Sequence, residues 1–554
     1  MKRIINFLLA AVIAACAVPL TACKKEDTLY LNVYNAEEYI SEYDEEWETV
    51  DAISEFEKYA TEKYGKKVVV KYSTFGTIEN MYNELQLTKK KGKNGYTYAY
   101  DLVCPSDYMI QRMINEDMLE RYDMNEDGTY AALGNYNDNA SSFILDLFNG
   151  KTEKNEVTGY VGKWSEYAAC YMWGTMGFVY NPEVLAANTA GADISELVKS
   201  WALPWNAYFK NLGTIKDSIR DTYALAVGYT YRDELTELQS LKENGTLTQD
   251  EYQAVLIKVF NNVNTDLSAE FTESGITGDK LSAVNALFAK FNGENTVDLV
   301  SKNLKELKRN VYGFEVDSGK KDMAAGKIAI NFAWSGDAAY TLDLADEDDG
   351  ATLYYEVPKE GSNVWFDAWV MPKGANKELA QDFVNFLSSP EIAISNMDYI
   401  GYVSPIAGDE VFEYVVDNYE LSFERDEDHP YEIDYTYYFG NVSDEYKTED
   451  GKVIIYCSED QVGRQLTTQY PEQSTVERCA LMTALTRDEL KALNAAWSDI
   501  KVGNVPVSLM IAIIVIIALI LIAFIVRAIL KKHGIVIKRK HRVYGKLISS
   551  ERIR

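Results

Sequence analysis

Between residues 28 and 500 the chain alternates short apolar runs with longer amphipathic stretches. Residues 28–34 alternate apolar and polar side chains, which predicts a strand. Residues 51–64 carry apolar side chains at helical spacing, and residues 68–72 predict a second strand. This order is typical of an α/β sheet with right-handed crossovers. Ligands of such sheets gather at the carboxyl ends of the strands, so residues 35–39 are expected at a binding edge.

The pattern persists along the rest of the chain. It predicts, in chain order, a strand at 168–180, a helix at 201–209, a strand at 328–334 and a helix at 377–387. Residues 233–261 are typical of a helical hairpin, because Gly245 can end the first helix and Thr248 with Glu251 can form a capping box for the second. Residues 411–450 are rich in acids and tyrosines and are expected to be mobile or to wrap the surface.

The start of the chain carries the signals of export. Residues 1–23 begin with Lys2 and Arg3, continue as an apolar run and end in Leu-Thr-Ala-Cys, which is typical of a signal peptide. The last four residues resemble the bacterial lipobox, whose cysteine carries the lipid. Cys23 is therefore the expected lipid attachment site, and an ordinary secretory signal with a chance cysteine is the alternative.

A second apolar segment lies near the other end. Residues 505–526 are uncharged and mostly aliphatic, which is long enough to cross a hydrocarbon core of about 30 Å and predicts a transmembrane helix. Residues 527–554 are basic with a single acid, Glu551, so this tail is expected in the cytoplasm. A membrane-surface role for the tail is the alternative. Both anchors place residues 24–504 outside the cell membrane.

Composition narrows the function classes. The net charge is −30, and setting the basic tail aside makes the exported part more acidic still, which disfavours nucleic acid and favours cations as partners. His429 is the only histidine before the tail, and no CxxC spacing occurs. Neither a zinc site, a histidine-based triad nor a cofactor is therefore expected. Cys457 and Cys479 form a disulfide or stay free thiols, and Cys104 and Cys170 are expected to be packing residues.

Acids stand beside aromatic residues along the exported part, and the clearest case is Trp365-Phe366-Asp367. A carboxylate attracts any cation, whereas a neighbouring indole face favours a cation with an apolar body. The motif therefore predicts binding of an organic cation.

Several blocks along the chain share their order and spacing with one known family. The most specific block is residues 100–108, Tyr-Asp-Leu-Val-Cys-Pro-Ser-Asp-Tyr. The others are residues 31–39, 171–174, 217–221, 334–338, 358–367 and 401–405. Together they resemble the bacterial spermidine/putrescine-binding proteins, the substrate-binding lipoproteins of polyamine ABC importers. The resemblance implies an α/β, two-lobed type II periplasmic-binding fold, a ligand in the interlobe cleft and no enzymatic activity.

Carried over by position, the resemblance implies a set of aromatic walls for the methylene chain of a polyamine. These walls are Tyr39, Tyr108, Trp334, Trp365 and Tyr402. It also implies that Glu38, Asp221 and Asp367 meet the amines and that Ser106 adds a hydrogen bond. Arg220 is expected to orient Asp221 or neighbouring backbone.

Two positions depart from the family pattern. Ala36 stands where the family commonly has an aromatic residue, and Ser218 where it often has a second acid. Asp337 is a candidate replacement for that acid. The departures leave open whether putrescine, spermidine or another cationic or zwitterionic solute binds.

The predicted domains follow from these segments. They are a lipoprotein signal peptide at 1–23, lobe 1 at 28–166 and 366–412, lobe 2 at 167–365 and 413–500 with a helical insertion at 233–310, a transmembrane helix at 505–526 and a cytoplasmic tail at 527–554. The predicted function is capture of polyamines and their delivery to the permease subunits of an ABC importer. A membrane-fixed polyamine or cation sensor, or an assembly factor on the same fold, is the alternative. An exported hydrolase that uses Asp101 and Asp107 is less favoured.

Overall fold

The computed structural model describes the chain from residue 28 to residue 502, with short gaps. The described ranges are 28–45, 48–92, 95–189, 191–267, 271, 275–347 and 350–502. Cys23 with the predicted signal peptide, the predicted transmembrane helix at 505–526 and the tail at 527–554 lie outside these residues. None of the helices in the described ranges combines the length and apolar character that a membrane span needs.

The chain divides into a compact unit that ends at Trp497 and a second unit that begins at Ser498. The sheet and the candidate site described below belong to the first unit. Of the second unit the structure describes residues 498–502, which are the end of the last helix.

Strands and helices alternate along the described chain. The strands are β1 Leu29–Ala36, β2 Val68–Phe75, β3 Lys90–Gly92, β4 Gly95–Thr97, β5 Leu102–Val103, β6 Thr152–Lys154, β7 Val161–Lys163, β8 Ala168–Tyr180, β9 Gly213–Lys216, β10 Gly313–Glu315, β11 Ile330–Trp334, β12 Tyr354–Glu356, β13 Ser362–Val370, β14 Tyr431–Asp434, β15 Ile454–Cys457 and β16 Cys479–Ala480. The α-helices are Ala52–Tyr64, Ile78–Thr88, Asp107–Asn115, Gly134–Asn139, Ser142–Gly150, Pro182–Asn188, Ile194–Leu197, Ile219–Thr230, Arg232–Glu243, Gln249–Asn261, Gly278–Phe288, Thr296–Leu307, Ser318–Ala324, Ser335–Glu347, Lys377–Leu387, Pro390–Ile400, Asp409–Asn418, Thr436–Phe439, Gln465–Gln469, Gln473–Glu477 and Arg487–Val502.

A ten-stranded mixed sheet organises the unit, in the order β10-β9-β11-β8-β13-β5-β1-β2, with β12 beside β8 and β16 beside β13. Within each half of the sheet parallel pairs dominate: β1 pairs with β2 and β5, and β9 pairs with β10 and β11. The two longest central strands, β8 and β13, are antiparallel and join the halves. At one end of the β8–β13 pair, Val370 of β13 pairs with β5. At the opposite end of the pair, residues Met176 to Tyr180 of β8 pair with β11.

The helix Ala52–Tyr64 shows why the predicted elements form. Asp51 caps its start by accepting a hydrogen bond from the Ser54 backbone N–H at 2.9 Å, and Gly65 ends it with a φ of 60°. Its buried Phe56 packs edge to face on Phe383, with ring centroids 4.8 Å apart. Burying a side chain of this size contributes about 1.5–3 kcal/mol, which fixes the helix against the helix Lys377–Leu387.

The structure confirms several sequence predictions and corrects others. The strand at 168–180 and the helix at 377–387 form with the predicted bounds, and Thr248 and Glu251 make the predicted capping box. The helix predicted at 201–209 is wrong. Two short 3-10 turns form there instead, because Pro204 lacks the N–H that an α-helix needs and the Asn206 side chain accepts a hydrogen bond from the Tyr208 backbone.

Residues 411–450 fold into regular elements, which their composition did not indicate. They contain most of the helix Asp409–Asn418 and the strand β14, which pairs with β15. Tyr435 and Tyr438 are fully buried in this segment, so the segment belongs to the packed structure. Among the described residues Cys104, Cys170, Cys457 and Cys479 are all buried free thiols. The lobe boundaries and the insertion at 233–310 stay predictions.

Candidate functional site

Asp367 lies in β13, where the pairing with β8 shifts register between Asp367 and Ala368. Such an irregularity re-aims a side chain from its normal direction in the sheet. Tyr39 Oη donates a hydrogen bond to Asp367 Oδ2 at 2.8 Å, and Ser106 also hydrogen-bonds to this carboxylate. The other oxygen, Oδ1, is buried and has no hydrogen-bond partner among the described residues. An unsatisfied buried acceptor is costly, so a ligand donor at Oδ1 would be favourable.

The electrostatic surroundings of Asp367 match this geometry. Burial raises its pKa to about 6, the hydrogen bonds from Ser106 and Tyr39 act in the opposite direction, and the charge of Asp221 raises it further. A cation beside the carboxylate lowers this pKa. Cation binding and ionisation of Asp367 therefore favour each other.

Three aromatic rings lie beside Asp367. The ring of Tyr402 makes edge-to-face contacts with Tyr39 and Trp365, at centroid distances of 5.7 and 5.3 Å. Each of these side chains is 8% exposed, so each is packed but still reaches the surface. The structure thus brings together Tyr39, Ser106, Trp365, Asp367 and Tyr402, which the resemblance assigned to one binding slot.

Two glycines allow these rings to lie against the backbone. A Cβ added at Gly174 in β8 would stand 2.8 Å from the Trp365 ring and closer still to Ser335 Oγ. A Cβ at Gly336, in the first turn of the helix Ser335–Glu347, would overlap the Tyr402 ring. Any larger residue at either position would displace a ring, so the shape of the slot depends on both glycines.

Trp334, at the end of β11, faces a cation that belongs to the protein. Lys216 Nζ lies 4.5 Å from the centroid of the Trp334 ring and forms an ion pair of 2.7 Å with Asp337 Oδ2. Tyr402 Oη donates to the other oxygen, Oδ1, at 3.0 Å. Asp337 is therefore already paired within the protein, although the sequence made it a candidate for a free ligand acid.

Tyr108 also faces a cation of the protein. The Arg220 guanidinium lies 4.6 Å from the Tyr108 ring centroid and donates to the Thr483 carbonyl at 2.9 Å. Tyr108 Oη donates to Glu79 at 3.2 Å. Burial raises the pKa of Asp221, with a hydrogen bond from Ser218 opposing this and Glu79 adding to it. The position of Arg220 against backbone agrees with the structural role expected for it.

Glu38 lies apart from the ring cluster. It is exposed, in the turn after β1, and its backbone has a φ of 51°. Its charge contributes to raising the pKa of Lys320, a side chain that also lies 3.7 Å from Asp337. Glu38 therefore lies on the exposed side of the group that Asp337 and Lys320 form.

Sequence reasoning missed Glu79, Lys216 and Lys320. Lys216 is the last residue of β9, and Glu79 is in the first turn of the helix after β2. Both therefore stand at the carboxyl end of a strand. The rule that ligand-facing residues gather at the carboxyl ends of strands could have identified both. The contact of Lys216 with Trp334 joins residues far apart in the chain, and no local pattern predicts it.

The two acids considered for hydrolysis, Asp101 and Asp107, have different surroundings. Asp101 accepts three hydrogen bonds, from the backbone and side chain of Asn32 at 2.7 and 2.8 Å and from the Asn376 backbone at 2.7 Å. Asp107 accepts one from the Tyr108 backbone at 2.6 Å, and burial raises its pKa well above the usual range. Asp101 thus holds three chain segments together through these hydrogen bonds.

Comparison with known proteins assigns the family. Residues 51–409 match the model of the bacterial extracellular solute-binding proteins. This chain belongs to that family. Relatives of this solute-binding protein include the spermidine/putrescine-binding periplasmic protein of Escherichia coli K12, 25% identical over 406 residues, or 73% of this chain and 85% of the relative. The putrescine-binding periplasmic protein of Pseudomonas aeruginosa UCBPP-PA14 is 26% identical over 404 residues, or 73% and 84% of the two chains.

One solved structure supports the fold of this solute-binding protein. A Listeria monocytogenes protein described as a spermidine/putrescine ABC transporter aligns with a TM-score of 0.51 and 21% identity, over 85% of this chain and 98% of the other. The predicted α/β two-lobed periplasmic-binding fold is confirmed. Proteins of this family bind solutes and are not enzymes.

Proposed function

We propose that this chain captures a polyamine, putrescine or spermidine, and delivers it to the permease subunits of an ABC importer. The observation that carries the proposal is Asp367, whose Oδ1 is buried without a hydrogen-bond partner in the described structure, beside three aromatic rings. A primary ammonium group supplies both the positive charge and the N–H donors that this oxygen lacks. The sequence relatives named for spermidine or putrescine binding support the same ligand class.

The surrounding side chains suit the rest of such a ligand. The faces of Tyr39, Trp365 and Tyr402 can bury methylene groups without competing for the ammonium charges, and a cation over such a ring gains roughly 0.5–2 kcal/mol. Asp221 is the proposed partner of a second amine, because it is close enough for its charge to raise the pKa of Asp367. A ligand with the wrong spacing of amines leaves one carboxylate unmatched and binds less tightly.

The remaining candidates have lesser roles in this proposal. Glu38 lies at the exposed side of the site and attracts cations by its charge. Tyr108 and Trp334 bound the site, and each has a protein cation against its ring. Ser106 orients the Asp367 carboxylate. No covalent step follows from this arrangement.

The proposed cellular location of the protein is inferred from residues 1–23 and 505–554. Residues 1–23 export the chain, Cys23 carries a lipid, and residues 505–526 span the membrane with the tail at 527–554 in the cytoplasm. The binding site would then face the outside beside the permease, where attachment raises its effective concentration. Cells grown with a labelled fatty acid should label the wild type and not the Cys23→Ser variant. Equal labelling of both would contradict lipid attachment at this cysteine.

A thermal-shift screen of the purified full-length protein in detergent tests the proposed ligand class. Putrescine or spermidine should raise the melting temperature, because a ligand at 100 times its Kd stabilises the folded state by about 2.7 kcal/mol. Sugars and neutral amino acids should not. Stabilisation by sugars alone, or by none of these solutes, would reject the proposal.

A further inference from the structure

Lys216 occupies a place built like a binding site for an ammonium ion. Its Nζ has the Trp334 indole face on one side, at 4.5 Å, and Asp337 Oδ2 at 2.7 Å. Asp337 also accepts a hydrogen bond from Tyr402, whose ring contacts Trp365. An indole face and a carboxylate beside a phenol are the same groups that the proposed site offers to a ligand amine.

The rest of the protein holds this ammonium in place. Lys216 Nζ donates to the Val316 carbonyl at 2.8 Å and lies 3.6 Å from Glu315 Oε1. Its side chain is only 1% exposed, so water does not screen its charge effectively. Burial raises the pKa of Asp337, but Lys216 and Lys320 more than offset this, so its pKa lies below the usual range. Asp337 is thus an ionised acid that the protein itself neutralises.

A second of the predicted aromatic walls carries a protein cation in a similar way, since Arg220 lies over Tyr108 and donates to the Thr483 carbonyl. Two of the five predicted aromatic walls therefore carry protein cations. The group left for a ligand is Asp367 with Tyr39, Trp365 and Tyr402.

We infer that Lys216 is a specificity-determining residue, whose ammonium fills one amine subsite and restricts the site to short diamines. The inference rests on the proposed polyamine binding. A triamine extended from Asp367 towards Trp334 would bring a third ammonium against Lys216, and a buried like charge opposes binding strongly. A four-carbon diamine needs only Asp367 and Asp221.

Calorimetric titration of the full-length protein with putrescine and spermidine tests the preference. The wild type should bind putrescine more tightly. Because the charge of Lys216 also acts on Asp221, both affinities can change in Lys216→Gln, but the ratio of spermidine to putrescine affinity should rise at least tenfold over that of the wild type. The matched control is Lys327→Gln, which removes an exposed lysine paired with Asp322 at 2.7 Å instead of with a residue of the site. It should leave the ratio of the two affinities within threefold.

A second variant keeps the test decisive if the buried charge of Asp337 destabilises Lys216→Gln. The double variant Lys216→Gln/Asp337→Asn removes both charges of the pair. It should shift towards spermidine less than Lys216→Gln does, because the carboxylate that would meet a third ammonium is also gone. An unchanged ratio in a folded variant would overturn the inference while leaving polyamine binding intact. Binding of neither amine by the wild type would overturn the proposed function, and the diamine preference with it.

Chemical rescue tests the ammonium subsite independently of polyamine binding. Lys216→Ala lacks three carbons and the amine, which propylammonium can replace. Millimolar propylammonium should raise the melting temperature of Lys216→Ala by several degrees more than that of the wild type, and propanol, which lacks the charge, should not. If propanol and propylammonium act equally, the place of Lys216 is not an ammonium subsite and the inference fails.

Discussion

At the scale of the residue, Asp367 has one oxygen without a hydrogen-bond partner in the part of the chain that the structure describes, accepts hydrogen bonds from neighbouring hydroxyls and has a raised pKa. The folded-state pKa of about 6 lies above the ordinary value of about 3.9. The fold therefore favours the protonated carboxyl. The contribution of the Asp367 carboxyl to the free energy of unfolding is complete below the ordinary pKa and is lost as the pH rises through 6.

This titration predicts pH-dependent binding. An ammonium ligand needs the ionised carboxylate, so the Kd for putrescine should rise roughly tenfold between pH 7 and pH 5. Asp221 and Asp107 also have raised pKa values nearby and can add to the effect. Titrations at several pH values should show a flatter dependence for Asp367→Asn. An equally steep dependence in that variant would assign the titration to another group.

At the scale of the element, β8 and β13 place the site. β8 is buried along its whole length except for Tyr180, and its small residues let the rings of the slot approach. Because β13 pairs with β8 through a register shift at Asp367, the carboxylate is set where the two halves of the sheet join. The position of Asp367 is therefore a property of strand pairing as much as of the local sequence.

Gly174 of β8 gives a prediction at this scale. Gly174→Ala should lower the free energy of unfolding by about 1–3 kcal/mol, because the added Cβ overlaps Ser335 and the Trp365 ring. Displacement of Trp365 should also weaken amine binding. The matched control is Gly134→Ala in an exposed helix start, where an added Cβ meets no atom within 4 Å. Chemical denaturation measures both, and equal stability of the two variants would contradict the packing role of Gly174.

At the scale of the whole molecule, periodicity predicted elements that are long and amphipathic or fully buried, such as the helix 377–387 and the strand 168–180. It did not predict the 3-10 turns around Pro204, because helical spacing of apolar residues says nothing about a missing backbone donor. The residues of the ring cluster around Asp367 were implied by the resemblance to the spermidine/putrescine-binding proteins, carried over by position. The contacts of Lys216 and Arg220 with Trp334 and Tyr108 could not be predicted, since they depend on tertiary packing between distant segments.

Asp367 is the proposed anchor for a ligand amine. The most direct measurement is isothermal titration of the full-length protein with putrescine, in the wild type and in Asp367→Asn. The control is Asp343→Asn, which alters another carboxyl with a pKa raised by burial to about 6 but hydrogen-bonded to Gln465 outside the site. We expect Asp367→Asn to weaken binding tenfold or more, the scale of one lost charged contact, and Asp343→Asn to leave it unchanged. An unchanged Kd in a folded Asp367→Asn variant would contradict the account.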